Sequence, residues 1–232
     1  MNDLFDEFAP GGPRFLKKGA YPIGTDAVLL ADFAKKPPSR RVCDLGCGSG
    51  VVAILLLLSD GRKTALGIEL DAEAAETAKK NALENGLESR FSVAAADLRT
   101  YRPPEMAGSF DLTAANPPYY KEGSGKKAPS AARALARGEE TCTLFDVCAA
   151  ASYLTRWGGS FCMVHKPERL SEALCALTAA GLEPKRLRFV EARAGASPSL
   201  FLVEARRGGK PGLQIEPPLV LQGRARETEG IL

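Results

Sequence analysis

The sequence has few of the residues that build metal centres and membrane spans. Its 232 residues include one histidine and one tryptophan, and aromatic residues make up 7% of the chain. The longest apolar run, residues 51–58, is much shorter than the roughly 20 residues that a membrane-spanning helix needs. No Gly-x-x-x-x-Gly-Lys-Ser/Thr pattern is present. We therefore expect neither a bilayer-spanning helix nor a P-loop nucleotide site.

The cysteines give no sign of a disulfide framework or a zinc site. No pair has Cys-x-x-Cys spacing, and most lie in apolar stretches that resemble strands or helices. The acidic N-terminus, residues 1–7, lacks the basic and apolar pattern of a signal peptide. We therefore expect reduced thiols, no bound metal and a cytoplasmic location. The six cysteines are Cys43, Cys47, Cys142, Cys148, Cys162 and Cys175.

Strand-like and helix-like segments alternate along what we expect to be one domain, residues 1–232. Such alternation is typical of an α/β fold with helices on both faces of a mostly parallel sheet. We predict a Rossmann-like core at 41–206, an N-terminal segment at 1–40 and a C-terminal tail at 207–232. The sheet is expected to have seven strands and to end in an antiparallel hairpin. The predicted strands are 41–45, 64–69, 91–96, 110–115, 160–165, 186–192 and 200–205, and the predicted helices start at Val51 or cover 72–85, 141–155 and 168–180.

A glycine-rich loop joins the first predicted strand to the first predicted helix. Gly46, Gly48 and Gly50 let the backbone turn sharply and approach a ligand without a side chain in the way. Their Gly-x-Gly-x-Gly spacing differs from the Gly-x-Gly-x-x-Gly of dinucleotide enzymes, because Val51 fills the last position. Asp44, before the loop, would repel a pyrophosphate but suits a ligand with an ammonium and a sulfonium group. S-adenosylmethionine carries both, and it is the cofactor we expect.

Two further acids follow the next two predicted strands. Glu69 ends the second strand, about 20 positions after the loop, where an acid can accept both hydroxyls of a ribose. Asp97 follows the third strand and is placed for the amino group of an adenine. Ligands bind at the carboxyl ends of the strands in open α/β sheets, so we expect Asp44, Glu69 and Asp97 to line one cofactor site. The alternative is that Glu69 and Asp97 are ordinary capping or surface acids.

Asn116, Pro117, Pro118 and Tyr119 follow the fourth predicted strand and form the candidate catalytic motif. An exocyclic amine of adenine is a poor nucleophile, because its lone pair is delocalised into the ring. The Asn116 side-chain oxygen and the Pro117 carbonyl can each accept one amino hydrogen, which favours a pyramidal nitrogen with a localised lone pair. The prolines hold that carbonyl rigidly, and Tyr119 offers a face on which a base can stack. The alternative is a proline turn with a satisfied asparagine.

These motifs resemble those of class I methyltransferases in general, and most of the chain resembles one family closely. This family is the bacterial tRNA (adenine-N6)-methyltransferases that modify the adenosine 3′ of the anticodon in a valine tRNA. The resemblance implies a class I methyltransferase fold and catalysis on RNA by the proline motif. It also implies that Gly24 and Thr25 lie near the methionine end of the cofactor, the alternative being a helix start capped by Thr25 or Asp26. The matching segments are 14–19, 24–31, 44–50, 116–120, 165–170 and 208–212.

The chain departs from the family pattern at two places, and other substrates stay open. Relatives carry a histidine where Gly138 stands here, and they tend to have Glu-Ala-Asn near residues 196–199.

A protein glutamine methyltransferase usually has a large N-terminal helical domain, which the short segment before the glycine loop does not provide. A ribosomal RNA substrate also stays open, whereas a DNA enzyme would need a recognition insert. A non-catalytic binding module is expected to have lost Asn116 or the loop glycines, and all are present.

Any RNA contact must come from local clusters of charge. The chain has 31 basic and 28 acidic residues, and its net charge is only +3. Between residues 121 and 138, five basic residues stand against one acid beside the catalytic motif. Phosphate contacts from such residues give salt-dependent affinity without reading sequence, and the alternative is a solvated loop. The residues that we expect to contact RNA are Arg14, Lys17, Lys18, Lys121, Lys126, Lys127 and Arg133.

Overall fold

The computed structural model of the chain describes residues 5–7, 11–16, 23–118 and 142–222. The strands are β1 (Phe5–Glu7), β2 (Arg14–Leu16), β3 (Arg41–Leu45), β4 (Thr64–Glu69), β5 (Phe91–Ala95), β6 (Phe110–Ala115), β7 (Thr155–His165), β8 (Leu182–Glu191), β9 (Leu200–Arg207) and β10 (Gln214–Val220). The helices are α1 (Thr25–Ala34), α2 (Val51–Ser59), α3 (Ala72–Glu84), α4 (Leu144–Leu154) and α5 (Leu170–Ala179). Short 3₁₀ turns lie at Pro104–Met106 and Pro167–Arg169.

Eight of the described strands form one sheet, in the order β10-β8-β9-β7-β6-β3-β4-β5. β9 runs antiparallel to its neighbours β7 and β8, and all the other neighbouring pairs are parallel. Parallel neighbours need long crossover connections, and α2 and α3 supply them between β3, β4 and β5. The prediction of a Rossmann-like, mostly parallel sheet ending in an antiparallel hairpin is confirmed.

The sheet has one strand beyond the seven predicted. β10 comes from the segment expected to be a C-terminal tail, and it pairs in parallel with β8. The sequence pattern does not reveal it, because Pro217 and Pro218 interrupt any alternation of apolar residues. Prolines are tolerated there because β10 is an edge strand, and its register shifts between Glu216 and Leu219, around the two prolines. The segment named as a C-terminal tail, residues 207–232, thus contributes the strand Gln214–Val220 to the sheet.

Two apolar clusters cover opposite faces of the sheet. Helices α1, α2 and α3 lie on one face, and α4 and α5 lie on the other. Successive strand residues alternate between the faces, so that Val42 joins the first cluster and Cys43 the second. Three alanines of α3 are buried, with Ala75, Ala78 and Ala82 each at most 1% exposed, which lets this helix lie close to the sheet. Within the described ranges, every helix is too short or too polar to span a membrane.

Capping residues set the helix ends. Asp71 accepts the N–H of Glu73 at the start of α3, and Gly86 with a φ of 66° follows its end. α4 begins at Leu144, later than predicted, because Thr143 and Asp146 form a reciprocal capping box. α1 begins after Gly24 without a side-chain cap, so the alternative interpretation of a helix start is right about the helix but not about a cap by Thr25 or Asp26.

The segment before the core contains a short antiparallel hairpin, β1–β2, which the sequence does not predict. β2 lies against α3, and Phe15 in its centre is only 3% exposed and joins the cluster formed by α1, α2 and α3. The N-terminal segment is thereby attached to the helix that follows β4.

Candidate active site

Two loops leave neighbouring strands at the same level of the sheet. Leu45 at the end of β3 pairs with Ala115 at the end of the adjacent parallel strand β6. Gly46 and Asn116 are the next residues along the two chains. β4 and β5 lie on one side of β3 and β6 and β7 on the other, so the strand order reverses between β3 and β6. Open α/β sheets bind ligands at this reversal, and the glycine loop and the proline motif both begin there.

The glycine loop folds over the end of β4. Gly46, Gly48 and Gly50 have φ angles of 67°, 54° and 83°, a region that other residues rarely adopt. The N–H of Gly46 donates to the carbonyl of Ile68 at 2.8 Å. A Cβ on Gly46 would point into open space, whereas one on Gly50 would lie 2.9 Å from the Phe91 ring. Gly46 therefore leaves its backbone open to a ligand, and Gly50 is required by packing.

Asp44 is a buried carboxyl that anchors the helix after the loop. It is 1% exposed, and its Oδ2 accepts the N–H of Ala53 in the first turn of α2 at 3.2 Å. The pKa of Asp44 is raised to about 7, mainly by burial; the hydrogen bond from Ala53 opposes the rise, and the nearby charge of Glu69 adds to it. A cation bound near the loop would stabilise the ionised form of this carboxyl.

Glu69 ties the glycine loop to the end of β4. Its Oε2 accepts the N–H of Gly48 at 2.8 Å, and its Oε1 accepts the N–H of Asp71 at 2.9 Å. Burial raises the pKa of Glu69 although these hydrogen bonds favour the ionised form. Each carboxylate oxygen has a further lone pair for a ligand hydroxyl. Glu69 can therefore hold the loop and a ribose at the same time.

Asp97, after β5, is paired with an arginine. The guanidinium of Arg99 donates to Oδ2 of Asp97 from Nε at 2.9 Å and from Nη2 at 2.7 Å, and the N–H of Arg99 donates to Oδ1 at 2.8 Å. The side-chain hydrogen bonds from Arg99 are the largest cause that lowers the pKa of Asp97. The carboxylate is thus ionised, and its charge is balanced before any ligand binds.

The proline motif begins where the buried part of β6 ends. Ala115 is fully buried, Asn116 and Pro117 are half-buried, and Pro118 is exposed. The Asn116 side chain and the Pro117 carbonyl therefore lie where the buried part of the strand ends. Tyr119 lies outside the described residues, and its stacking role stays a prediction.

The single histidine ends the neighbouring strand. Ala115 pairs with Met163 on β7, so His165 is as far beyond that pair as Pro117 is. His165 is fully buried, and its Nδ1 accepts the N–H of Lys166 at 2.8 Å. Burial, followed by the charge of Arg169, lowers the pKa of His165 to about 4. The ring is neutral at physiological pH.

Gly24 and Thr25 lie exposed at the start of α1. The carbonyl of Gly24 accepts the N–H of Ala27 at 3.1 Å, as at an ordinary helix start. The nearest atom to a Cβ added at Gly24 is the backbone nitrogen of Asp26 at 4.0 Å, so space beside it is open. The cofactor role of both residues stays a prediction.

Of the residues predicted to contact RNA, Arg14 is the one in the described ranges. It lies in β2, where its guanidinium forms an ion pair with Glu84 of α3. This contact gives Arg14 a part in attaching the N-terminal hairpin. The other predicted RNA contacts lie outside the described residues: Lys17, Lys18, Lys121, Lys126, Lys127 and Arg133.

Comparison with known proteins decides the family. The model of the methyltransferase small domain matches residues 19–168. The chain belongs to this family. The match spans the glycine loop, all three strand-end acids and the proline motif, so the residues that form the candidate site lie within the family domain.

Three curated relatives of the methyltransferase share the name tRNA1(Val) (adenine(37)-N6)-methyltransferase. The protein of that name from Aeromonas hydrophila is 32% identical, over 82% of this chain and 78% of its own. That from Porphyromonas gingivalis is 31% identical, over 79% and 74%, and that from Cronobacter sakazakii is 35% identical, over 68% and 63%.

Solved structures confirm the fold of the methyltransferase. A protein described as a predicted O-methyltransferase from Agrobacterium tumefaciens matches with a TM-score of 0.69 and 21% identity, over 85% of this chain and 88% of that one. A geranyl diphosphate methyltransferase solved with S-adenosylmethionine matches with a TM-score of 0.57 and 17% identity, over 78% and 85%. At these identities the likeness establishes the class I methyltransferase architecture.

Three polar residues near the site of the methyltransferase are not singled out by its sequence. Arg99 lies two positions after Asp97, and that spacing is the only signal in the sequence for their pairing. Asn81 on α3 and Asn85 at its C-terminal cap bind the backbone of β2, and Asn81 also binds the carbonyl of Ser49. The sequence signal for Asn81 and Asn85 is that two polar residues stand one helical turn apart in a segment rich in alanine.

The donor set of the site fits S-adenosylmethionine. Two carboxyl groups, Asp44 and Glu69, lie beside the loop. Burial raises their pKa values, and a cationic ligand bound there would favour their ionised forms. The open side of Gly46 leaves room for a ligand against the backbone. No group of histidine, cysteine and acidic residues that could hold a metal ion occurs within the described part of the chain.

Proposed function

We propose that this methyltransferase transfers a methyl group from S-adenosylmethionine to the N6 amino group of an adenosine in tRNA. The pairing of Leu45 with Ala115 is the observation that carries this proposal, because it puts Gly46 and Asn116 at the ends of adjacent strands. Adjacent strands are about 5 Å apart, so a ligand on the loop and an amine on Asn116 can come into contact. The name shared by the curated relatives supports adenine in tRNA as the substrate.

The cofactor, when bound, supplies an electrophilic methyl group on a sulfonium. Glu69 would hold its ribose, Asp97 its adenine, and Asp44 would face its positive charge. The hydrogen bond from Gly48 to Glu69 fixes the loop before the ligand arrives, so binding does not have to order it. These residues bind and orient, and they supply no proton to the reaction.

Asn116 and Pro117 would prepare the amine. The Asn116 oxygen and the Pro117 carbonyl accept the two amino hydrogens and localise the lone pair on nitrogen. Because the carbonyl is held by the proline ring, it is aligned before the base arrives. No general base is required before transfer, since the proton leaves from the methylated nitrogen afterwards. Alignment of the nitrogen with the methyl group supplies most of the acceleration.

The proposal is tested by methyl transfer from labelled S-adenosylmethionine to unmodified total tRNA, followed by nucleoside analysis. The wild type should label N6-methyladenosine. Asn116→Ala should lower kcat by about 100-fold or more, as loss of one preorganised hydrogen-bonding group does in other sites. Its affinity for S-adenosylmethionine should stay within a factor of about two, since Asn116 lies on a different strand end from the acids.

Two outcomes would count against the proposal. Labelled protein or ribosomal RNA, with tRNA unlabelled and cofactor binding intact, would overturn the tRNA assignment. Full activity of Asn116→Ala would overturn the assignment of the proline motif as the catalytic centre.

A further inference from the structure

Two asparagines, Asn81 on α3 and Asn85 at its C-terminal cap, hold the N-terminal strand β2. Oδ1 of Asn85 accepts the N–H of Arg14 at 2.9 Å, and Nδ2 of Asn85 donates to the carbonyl of Arg14 at 2.8 Å. One turn earlier, Oδ1 of Asn81 accepts the N–H of Leu16 at 3.0 Å. The two side-chain amides therefore take the place of a neighbouring strand for one edge of β2.

Asn81 differs from Asn85 in what its amino group reaches. Nδ2 of Asn81 donates to the carbonyl of Ser49 at 2.9 Å, whereas Nδ2 of Asn85 stays with Arg14 and its own helix. Ser49 belongs to the glycine loop, between Gly48 and Gly50. The side chain of Asn81 is buried, at 1% exposed. It joins Ser49, 32 positions away in sequence, to Leu16, 65 positions away.

The Ser49 carbonyl is a point at which the loop can be positioned. On one side of it, the N–H of Gly48 is fixed by Glu69 at 2.8 Å. On the other side, Gly50 with a φ of 83° is the N-cap residue that precedes α2. A hydrogen bond on the intervening carbonyl fixes the orientation of the peptide plane between Ser49 and Gly50. A buried polar group that loses its partner costs free energy, so this orientation is held firmly.

We propose that Asn81 is a positioning residue that couples the cofactor loop to the N-terminal strand, so that binding of S-adenosylmethionine and docking of β2 on α3 favour each other. The inference rests on the proposed cofactor site. Coupling of this kind is reciprocal: a ligand that stabilises the loop stabilises β2 by the same factor, and loss of β2 docking weakens the ligand. The amide of Asn81 is the shared element, because its two ends bind the two segments.

A matched pair of variants separates this role from ordinary helix packing. Asn81→Asp keeps the acceptor for Leu16 but replaces the donor to Ser49 by a carboxylate oxygen. Asn85→Asp makes the same chemical change one turn away and leaves the glycine loop untouched. It loses the donor to the Arg14 carbonyl, but β2 should stay docked through the N–H groups of Arg14 and Leu16 and the ion pair of Arg14 with Glu84. Asn81→Asp should raise the Kd for S-adenosylmethionine about fivefold to tenfold, and Asn85→Asp less than about twofold. Thermal unfolding of both variants shows whether they lose stability to a similar extent.

A second measurement needs no variant. Hydrogen exchange of the Leu16 amide, which donates to Asn81, should slow at least about threefold when the wild type is saturated with S-adenosylmethionine. Equal cofactor affinity in the two variants, or an unchanged exchange rate at Leu16 in a cofactor-bound wild type, would overturn the coupling while leaving the proposed function intact. A wild type that does not bind S-adenosylmethionine would overturn both.

Discussion

The two halves of the candidate site are built from different chemistry. At the ends of β3, β4 and β5, the candidate residues are carboxyl groups, and each is bound to a backbone N–H or to a guanidinium. At the end of β6 stand an amide and two prolines, and β7 ends in a buried neutral imidazole. Negative charge on one side suits a cationic cofactor. Neutral acceptors on the other side suit an amine that must keep its lone pair available.

Within the acidic half, the strand ends differ again. Glu69 binds the backbone of the glycine loop, and burial raises its pKa. Asp97 binds Arg99, which lowers its pKa. The two acids are therefore not equivalent. Glu69 positions the glycine loop and can bind a ligand as well, whereas the charge of Asp97 is already balanced by Arg99.

Removing Glu69 should have the largest effect in this half. Glu69→Ala removes the acceptor for Gly48 and the acceptor proposed for the ribose. Two hydrogen bonds to a charged group should together raise the Kd for S-adenosylmethionine about 100-fold, as titration calorimetry can measure. Glu76→Ala, on the exposed side of α3 where Glu76 pairs with Lys79, is the control and should change nothing. A loss below about threefold in Glu69→Ala would show that the loop is held without this acid.

The pH dependence of cofactor binding should come next. The pKa of Asp44 in the folded protein, about 7, lies above the ordinary 3.8, so folding favours its protonated form. Its contribution to stability is therefore present below about pH 4 and lost as pH rises through about 7. A bound cation favours the ionised form, so affinity for S-adenosylmethionine should rise about tenfold between about pH 6 and about pH 8.

Asp44→Asn is the control for this prediction. The variant should bind the cofactor more weakly than the wild type at about pH 8, with an affinity that no longer changes with pH. An unchanged slope in the variant would assign the titration to another group, with Glu69 the first candidate because its pKa is also raised.

The smallest effect should be at Asp97. Asp97→Asn keeps one acceptor oxygen and loses a charge that Arg99 already balances, so the Kd for S-adenosylmethionine should rise only about threefold. The double variant Asp97→Asn, Arg99→Ala should differ little from Asp97→Asn in cofactor affinity. A loss at Asp97 as large as that at Glu69 would remove the distinction between the two strand ends.

Local patterns in the sequence predict the core of the molecule well. The strands β3, β4 and β6 have the predicted bounds, because each is an apolar run bounded by polar residues and covered on both faces. The glycine loop and the proline motif are likewise visible, since their chemistry depends on neighbouring residues. Their placement at the same edge of the sheet follows from its parallel topology, because the carboxyl ends of parallel strands lie at one edge.

Contacts between distant segments could not be predicted in this way. β10 contains two prolines and is a strand because β8 offers an edge. Asn81 is distant in sequence from both of its backbone partners, and no local rule assigns them. Asp97 could be placed at the edge, but its charge balance depends on the rotamer of Arg99. The sequence thus predicts which groups are present at the site, and packing decides what each of them is bonded to.

The buried imidazole ring of His165 is a natural probe for nuclear magnetic resonance. The chain has a single histidine, so its imidazole gives one set of ring proton resonances with no overlap from other histidines. With a pKa of about 4, the ring does not titrate in neutral solution, and a change in its chemical shift reports surroundings rather than protonation. Because His165 ends the strand beside the one that leads into Asn116, those resonances would record events at the proline motif in the unmodified protein.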